Sequence, residues 1–400
     1  MWFGVVGGNP YRDCGFYSAR TRRSRTAMPS LTRRDLMVGA ALVSAMGVRA
    51  AQAEEAVAAI GAPLELVATF AGRQATGIAV SRGGRRFVNF PRWEDDVALS
   101  VAEIGPDGAL TPYPDETWNA YRKDGAPVRP QWSFVCVQSV TIDAQDRLWV
   151  LDPGAPGLAA IVPGAPKLVC IDLAGNRVLR VYRFSKEIAP QGSYLNDIRV
   201  TADGRRAVIT NSGAPGCLVT LDVESGAMRR VLVGDPSTQP DPAVEIAVGG
   251  RALIKADGQK AEIAADGLML DESDGSVLFQ ATTGRTMYTV PLDALFDRRL
   301  APKALSAKVA VAARTFVADG YWCSRKAGRL VTDCAGFAVR RLQPDGTLAV
   351  LTQHPRLLWP DSLAEGADGA IYVTASHIPE MKTWQGPGVA RTALFRFHPG

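Results

Sequence analysis

Histidine is scarce in this chain: three residues in 400, at positions 354, 377 and 398. With no Cys-x-x-Cys pair among its six cysteines, that scarcity argues against an ordinary His/Cys zinc site. No G-x-S-x-G elbow and no phosphate-cradling G-x-x-x-x-G-K occurs. No apolar run outside the first fifty or so residues reaches membrane-spanning length. Amphipathic helical periodicity is also missing, while Gly 39 and Pro 26 supply many turns. The formal net charge of +5 does not signal a nucleic-acid partner, because residues 1–53 hold eight arginines and two aspartates. The remainder, with 37 basic and 38 acidic residues, is neutral and shows no basic stripe.

The leader has its own logic. "LTRRDLMVGAALVSAMGVRAAQA" pairs Arg33 and Arg34 ahead of an apolar run from Leu36 to Val48 and ends small-x-small at Ala51-Gln52-Ala53. It resembles a twin-arginine export signal, which implies the Tat export machinery as a partner and a periplasmic or secreted product. Met28 is the expected start, residues 1–27 an upstream over-extension, 28–53 the signal peptide, 54–63 a linker and 64–400 one domain. Removal of Cys14 with the leader leaves five cysteines, so one thiol has no partner in the chain. Cys323 and Cys334 flank the turn "KAGR" and are a candidate cross-strand disulfide; Cys136, Cys170 and Cys217 read as buried thiols.

The body repeats itself. "YLNDIRVTADGRRAVITNSG" from Tyr194 pairs an apolar strand with a second one across an Asp-Gly turn. The pattern returns from Thr76, Ser139, Asp266, Asp361 and, more weakly, Asp319. Third-strand patterns follow several copies, so the unit is a four-stranded antiparallel meander. Six units predict an all-β fold, a six-bladed β-propeller, with a two-domain sandwich as the alternative. "TALFRFHPG" at the C-terminus lacks a fourth strand, and "LELVATFAG" at 64–72 is placed to supply it, closing the ring through the two ends.

In such a ring the residues preceding the inner strands meet at one mouth of the central channel. They are Thr76, Gln138, Asn196, Asp266, Asp319 and Asp361, with Trp93, Asp152, Asn211, Thr283 and His377 in an outer tier after the second strands. One Asp or Asn ahead of a strand commonly just bonds a turn; the same offset in five or six units points to a site. Converging oxygens suit a small protonated amine or a hard divalent cation such as Ca²⁺. Asp203, Asp274 and Asp368 precede glycine in the hairpins of the opposite face and read as turn residues.

"GIAVSRGGRRFVNFPRW", "QSVTIDAQDRLWVLDPG", "YLNDIRV", "ADGLMLD" and "WPDSLA" resemble, in order and spacing, the major royal jelly and Yellow protein family. The resemblance implies a six-bladed, usually secreted propeller. It also implies biogenic-amine binding in the channel or a dopachrome-converting activity. A weaker resemblance, through Asn196 and Asp266, is to the gluconolactonase and senescence-marker group and implies a divalent metal on those two residues. That group's first-blade Glu has no counterpart, since Thr76 and Gly77 stand there. Two functions follow as expectations: an exported binder of a small amine or aromatic ligand, or a metal-dependent lactonase-like hydrolase or tautomerase.

Overall fold

The structure, a computed structural model, describes residues 59–123, 125 and 129–400. The leader, its arginine pair and its cleavage site lie outside them.

Alternation of apolar and polar residues becomes six four-stranded antiparallel sheets around a central axis. Their inner strands are Ile78–Val80, Ser139–Ile142, Leu195–Val200, Ala265–Asp271, Tyr321–Ser324 and Pro360–Glu365, which begin blades 1 to 6 in chain order. Strand period explains why both faces of each sheet are apolar. In Arg206–Asn211, the second strand of blade 3, Ala207 and Ile209 pack against blade 2, while Val208 packs against blade 4. Six interblade cores result, one at each junction. A seventh apolar cluster lies over one mouth of the channel.

Closure follows the expected route. Glu65–Ala71 pairs antiparallel with Arg391–Phe397 and becomes the outermost strand of blade 6. Ile60–Gly61 adds a further short strand to the edge of blade 5. Two short helices, Leu292–Phe296 and Pro302–Ser306, link the outer strands of blade 4. Among the described residues no helix is long and apolar enough to cross a membrane.

Threonines stitch the blades together near the axis. Thr210 Oγ1 accepts from the Asp197 N–H (3.0 Å) in its own blade and donates to the Asp266 carbonyl (2.8 Å) in the next. Thr374 does the same between the Ser362 N–H (3.0 Å) and the Thr76 carbonyl (2.8 Å), joining blade 6 to blade 1. Both side chains are fully buried, so each hydroxyl satisfies a donor and an acceptor that water cannot reach.

The candidate disulfide is corrected by the register. Cys323 stands opposite Arg329, whereas Cys334 lies beyond Asp333 at the far end of the same hairpin, and both are free thiols. A cross-strand bridge needs facing positions, and these two are several residues apart along the ladder. Cys136, Cys170 and Cys217 are free and buried as expected, and burial pushes the first two thiols up to about 12.

Phe70 tests whether this closure carries stability. It is 1 % exposed and meets the Phe90 ring edge-on at 5.3 Å across the junction of blades 6 and 1. Phe70→Ala is expected to destabilise the protein by about 3–5 kcal/mol in chemical denaturation. Leu66→Ala on the exposed face of the same strand should stay within about 0.5 kcal/mol.

Candidate functional site

The inner strands do not start smoothly. Register shifts fall between Leu195 and Ile198, between Ala265 and Gly267, and between Pro360 and Leu363. Such bulges re-aim side chains, and they sit where Asn196, Asp266 and Asp361 stand. Two glycines then let neighbouring strands close in. A Cβ at Gly267 would lie 2.0 Å from the Tyr321 ring and 2.5 Å from the Asp319 carbonyl oxygen; one at Gly320 would lie 1.7 Å from that of Asp361. Only glycine permits both approaches, and each follows the aspartate it helps to gather.

The result is a cavity of about 490 Å³ at this upper mouth, which Asp266, Asp319 and Asp361 line together. Asp266 and Asp361 are buried and Asp319 is half-buried, and none is ion-paired to a Lys or Arg of the described residues. Burial first, and then mutual repulsion, holds Asp266 and Asp361 well above the usual carboxylate range. Asp319 rises only to about 6: burial and Asp197 push it up, while the Trp359 indole N–H (2.5 Å) steadies its charged form. Trp359 adopts a left-handed backbone (φ 56°), a strained state for a bulky residue, which aims its indole at that carboxylate.

One wall is a directional chain of hydrogen bonds. Trp93 Nε1 donates to the Tyr194 hydroxyl (2.5 Å), which donates to Gln138 Oε1 (3.0 Å). Gln138 Nε2 donates to Asn196 Oδ1 (3.1 Å), and Asn196 Nδ2 to Ser212 Oγ (3.0 Å). Burial pushes the Tyr194 phenol well above its ordinary value, so it stays a neutral donor. The opposite wall carries the apolar side chains Trp359, Ile378, Met381 and Trp384, and Lys255, Lys260 and Glu262 also line the cavity. Three loops are tied across the mouth: Thr383 N–H donates to Glu94 Oε1 (2.7 Å), and Gln385 Nε2 to the Ile254 carbonyl (3.1 Å).

Of the residues singled out from sequence, Gln138, Asn196, Asp266, Asp319, Asp361 and Trp93 line this cavity. Thr76 and Asn211 do not. Thr76 is fully buried and donates to the Gln138 carbonyl (3.0 Å); Asn211 accepts from the Tyr194 N–H (2.7 Å) and donates to the Pro215 carbonyl (2.9 Å). Asp152 is spent on a buried ion pair with Lys167 (2.7 Å) and on backbone N–H groups. Thr283 bonds the backbone of 261 and 263, and His377 pairs with Glu380 (2.9 Å). Sequence reasoning missed Tyr194, Trp359, Met381 and Trp384. The first two each stand two residues before a ring residue, Asn196 and Asp361, so proximity to the ring was a usable signal; the last two lie on an insertion outside the repeat.

A divalent cation would need several oxygens free to turn inward. Asn196 Oδ1 and Gln138 Oε1 are already engaged as acceptors, and blade 1 offers Gly77 where a carboxylate would stand. Among the described residues no three His, Cys, Asp or Glu side chains are arranged to hold a metal ion. The residues present do not fit a preformed divalent site.

These features define a six-bladed β-propeller with an acid-floored, aromatic-walled cavity at one end of its axis. The chain is similar to the major royal jelly and Yellow family. The family model described as Major royal jelly protein matches residues 135–326. Protein yellow of Drosophila madeirensis is 28% identical over 126 residues, 30% of this chain and 21% of that protein; the Drosophila pseudoobscura pseudoobscura protein is 29% identical over the same length. The chain thus matches about a fifth of the length of these curated relatives. Among solved structures, a regucalcin from Agrobacterium tumefaciens, described as a calcium-binding protein, superposes with TM-score 0.51 at 12% identity, covering 84% of this chain and 94% of that one. A gluconolactonase from Xanthomonas campestris gives 0.50 at 14% identity, covering 85% and 90%. At such identities these structures speak for the fold alone.

The carboxyl trio has a testable pH signature. A carboxyl whose folded pKa is raised favours the native state at low pH, and that contribution is lost as pH rises through the folded value. For Asp319 the loss begins near the ordinary carboxylate value of about 4 and is complete above the folded value of about 6. Asp319→Asn is therefore expected to gain stability relative to the parent between about pH 4 and about pH 8, read from denaturation midpoints at each pH. A constant difference across that range would show the trio to be unstrained.

Proposed function

We propose that this protein binds a small aromatic amine at the upper mouth of its channel. The observation that carries this reading is the trio Asp266, Asp319 and Asp361, none of them ion-paired to a Lys or Arg of the described residues although Lys255 and Lys260 line the same cavity, beneath Trp93, Tyr194, Trp359 and Trp384. An ammonium group supplies the missing charge and three donors, while the aromatic walls take up the ring. Binding of the cation favours ionised carboxylates, so affinity rises as pH climbs through the Asp319 value near about 6. The similarity to the Yellow family supports the same reading, and export on the twin-arginine leader belongs to it. A metal-dependent hydrolase or tautomerase is the weaker alternative, because the amide oxygens are engaged and the first-blade carboxylate is lacking.

Calorimetry with 2-phenylethylamine and its uncharged counterpart 2-phenylethanol tests the proposal. The amine is expected to bind at about pH 8 at least about tenfold tighter than the alcohol, and Asp266→Asn/Asp319→Asn to erase the difference. Equal affinity for both compounds, or an unchanged amine affinity in the double variant, would overturn it. Stoichiometric Ca²⁺ uptake that the same variant abolishes, without amine binding, would favour the metal-dependent alternative.

A further inference from the structure

The inner strands also end somewhere. At about 3.3 Å per residue, a six-residue strand carries the chain roughly 20 Å from the upper mouth to the other end of the channel. There two abutting cavities of about 470 and about 310 Å³ share Thr141, Ile142, Asp143, Trp322, Cys323 and Arg325, and so form one basin. All six inner strands or the turns that follow them reach it.

Its polar groups are unevenly satisfied. Asp143 is fully engaged by Arg147 Nε (2.7 Å), the Trp149 indole N–H (2.7 Å) and backbone N–H groups; Asp271 is held by Ser273 and Arg329. Glu365, with its side chain 4% exposed, uses Oε2 to accept the Arg325 N–H (3.0 Å) and leaves Oε1 without a partner. The Trp322 indole N–H and the Arg199 Nε–H are likewise buried and unpartnered. Of six such atoms among the described residues, three therefore belong to side chains lining this one basin. An unmet buried polar group costs about 1–3 kcal/mol, so such a cluster calls for a ligand or ordered water.

The three groups state what would satisfy them. Two N–H donors and one carboxylate oxygen need a partner that accepts and donates, as a hydroxyl does. Net charge is not wanted: Arg199 is paired with Asp197 (2.6 Å), and Glu365 lies 3.7 Å from the Arg325 guanidinium. Ile78 and Ile142 give the basin apolar wall for a C–H face. Burial pushes the Cys323 thiol up to about 11, so this thiol on the basin wall stays protonated.

We infer that the lower mouth is a second ligand site, taking a small neutral polyhydroxylated molecule of monosaccharide size on Trp322 Nε1–H, Arg199 Nε–H and Glu365 Oε1. The site is independent of the amine reading, since it shares no lining residue with the upper cavity.

The test is a titration of the full ¹⁵N-labelled chain with D-glucose, D-galactose, myo-inositol and glycerol, following indole N–H resonances, with Trp322 assigned through Trp322→Phe. At least one probe should shift the Trp322 signal saturably and leave the Trp93 signal in place. In calorimetry, Glu365→Gln and Trp322→Phe should each weaken that probe about tenfold. Either variant suffices if the other fails to fold. No shift of the Trp322 signal with any of the four up to about 100 mM means that water alone fills the basin, and overturns the inference. So does an affinity that both variants leave unchanged, or a shift confined to Trp93.

Discussion

Three acid groups that repel one another are forced together on the propeller axis, and much of the upper half of the molecule is arranged to permit it. The bulges turn Asp266 and Asp361 inward, and Gly267 and Gly320 remove the Cβ atoms that would keep blades 4, 5 and 6 apart. Trp359 takes up a left-handed backbone so that its indole can steady Asp319. A propeller is suited to this because its inner strands converge by geometry, and strain at the axis is shared among six apolar junctions. Each junction buries side chains such as Trp149, Phe279 and Phe395, whose packing does not depend on the charge at the centre.

The same constraint explains the threonines of the second strands. Asp266 sits on a backbone whose carbonyl is fixed by Thr210, and blade 1 is held to blade 6 by Thr374. Without such bonds the start of each inner strand would be a bulged segment with unmet backbone groups, free to splay outward and relax the repulsion. Positioning here is a property of the blade-to-blade contact, not of the individual hairpin.

Much of this was legible in the sequence, and the exceptions have physical reasons. Period-2 strands joined by Asp-Gly turns recur often enough to fix the blade number, and "LELVATFAG" reads as a fourth strand because the last blade lacks one. Asp203, Asp274 and Asp368 do cap the lower hairpins through backbone N–H groups. The ring offset brought Gln138, Asn196 and the three aspartates together, but it could not separate Thr76 and Asn211 from them. Thr76 stands at the ring position of blade 1 but donates into the junction with blade 2, and Asn211, from the outer tier, is taken up by the backbone of 194 and 215; neither choice is visible in the spacing. Met381 and Trp384 were out of reach because their loop is outside the repeat. The cysteines misled for a related reason: flanking a turn is not facing across one, and only the register tells the two apart.

The two ends of the channel are joined by charge as well as by backbone. Asp197 adds to the repulsion felt by each of Asp266, Asp319 and Asp361, yet it is pinned from below by Arg199, whose guanidinium lies over the Trp322 ring at 5.4 Å and donates to the Tyr321 carbonyl (2.6 Å). Arg199 therefore faces two ways. Its Nη1 neutralises part of the negative column above, and its Nε belongs to the lower basin.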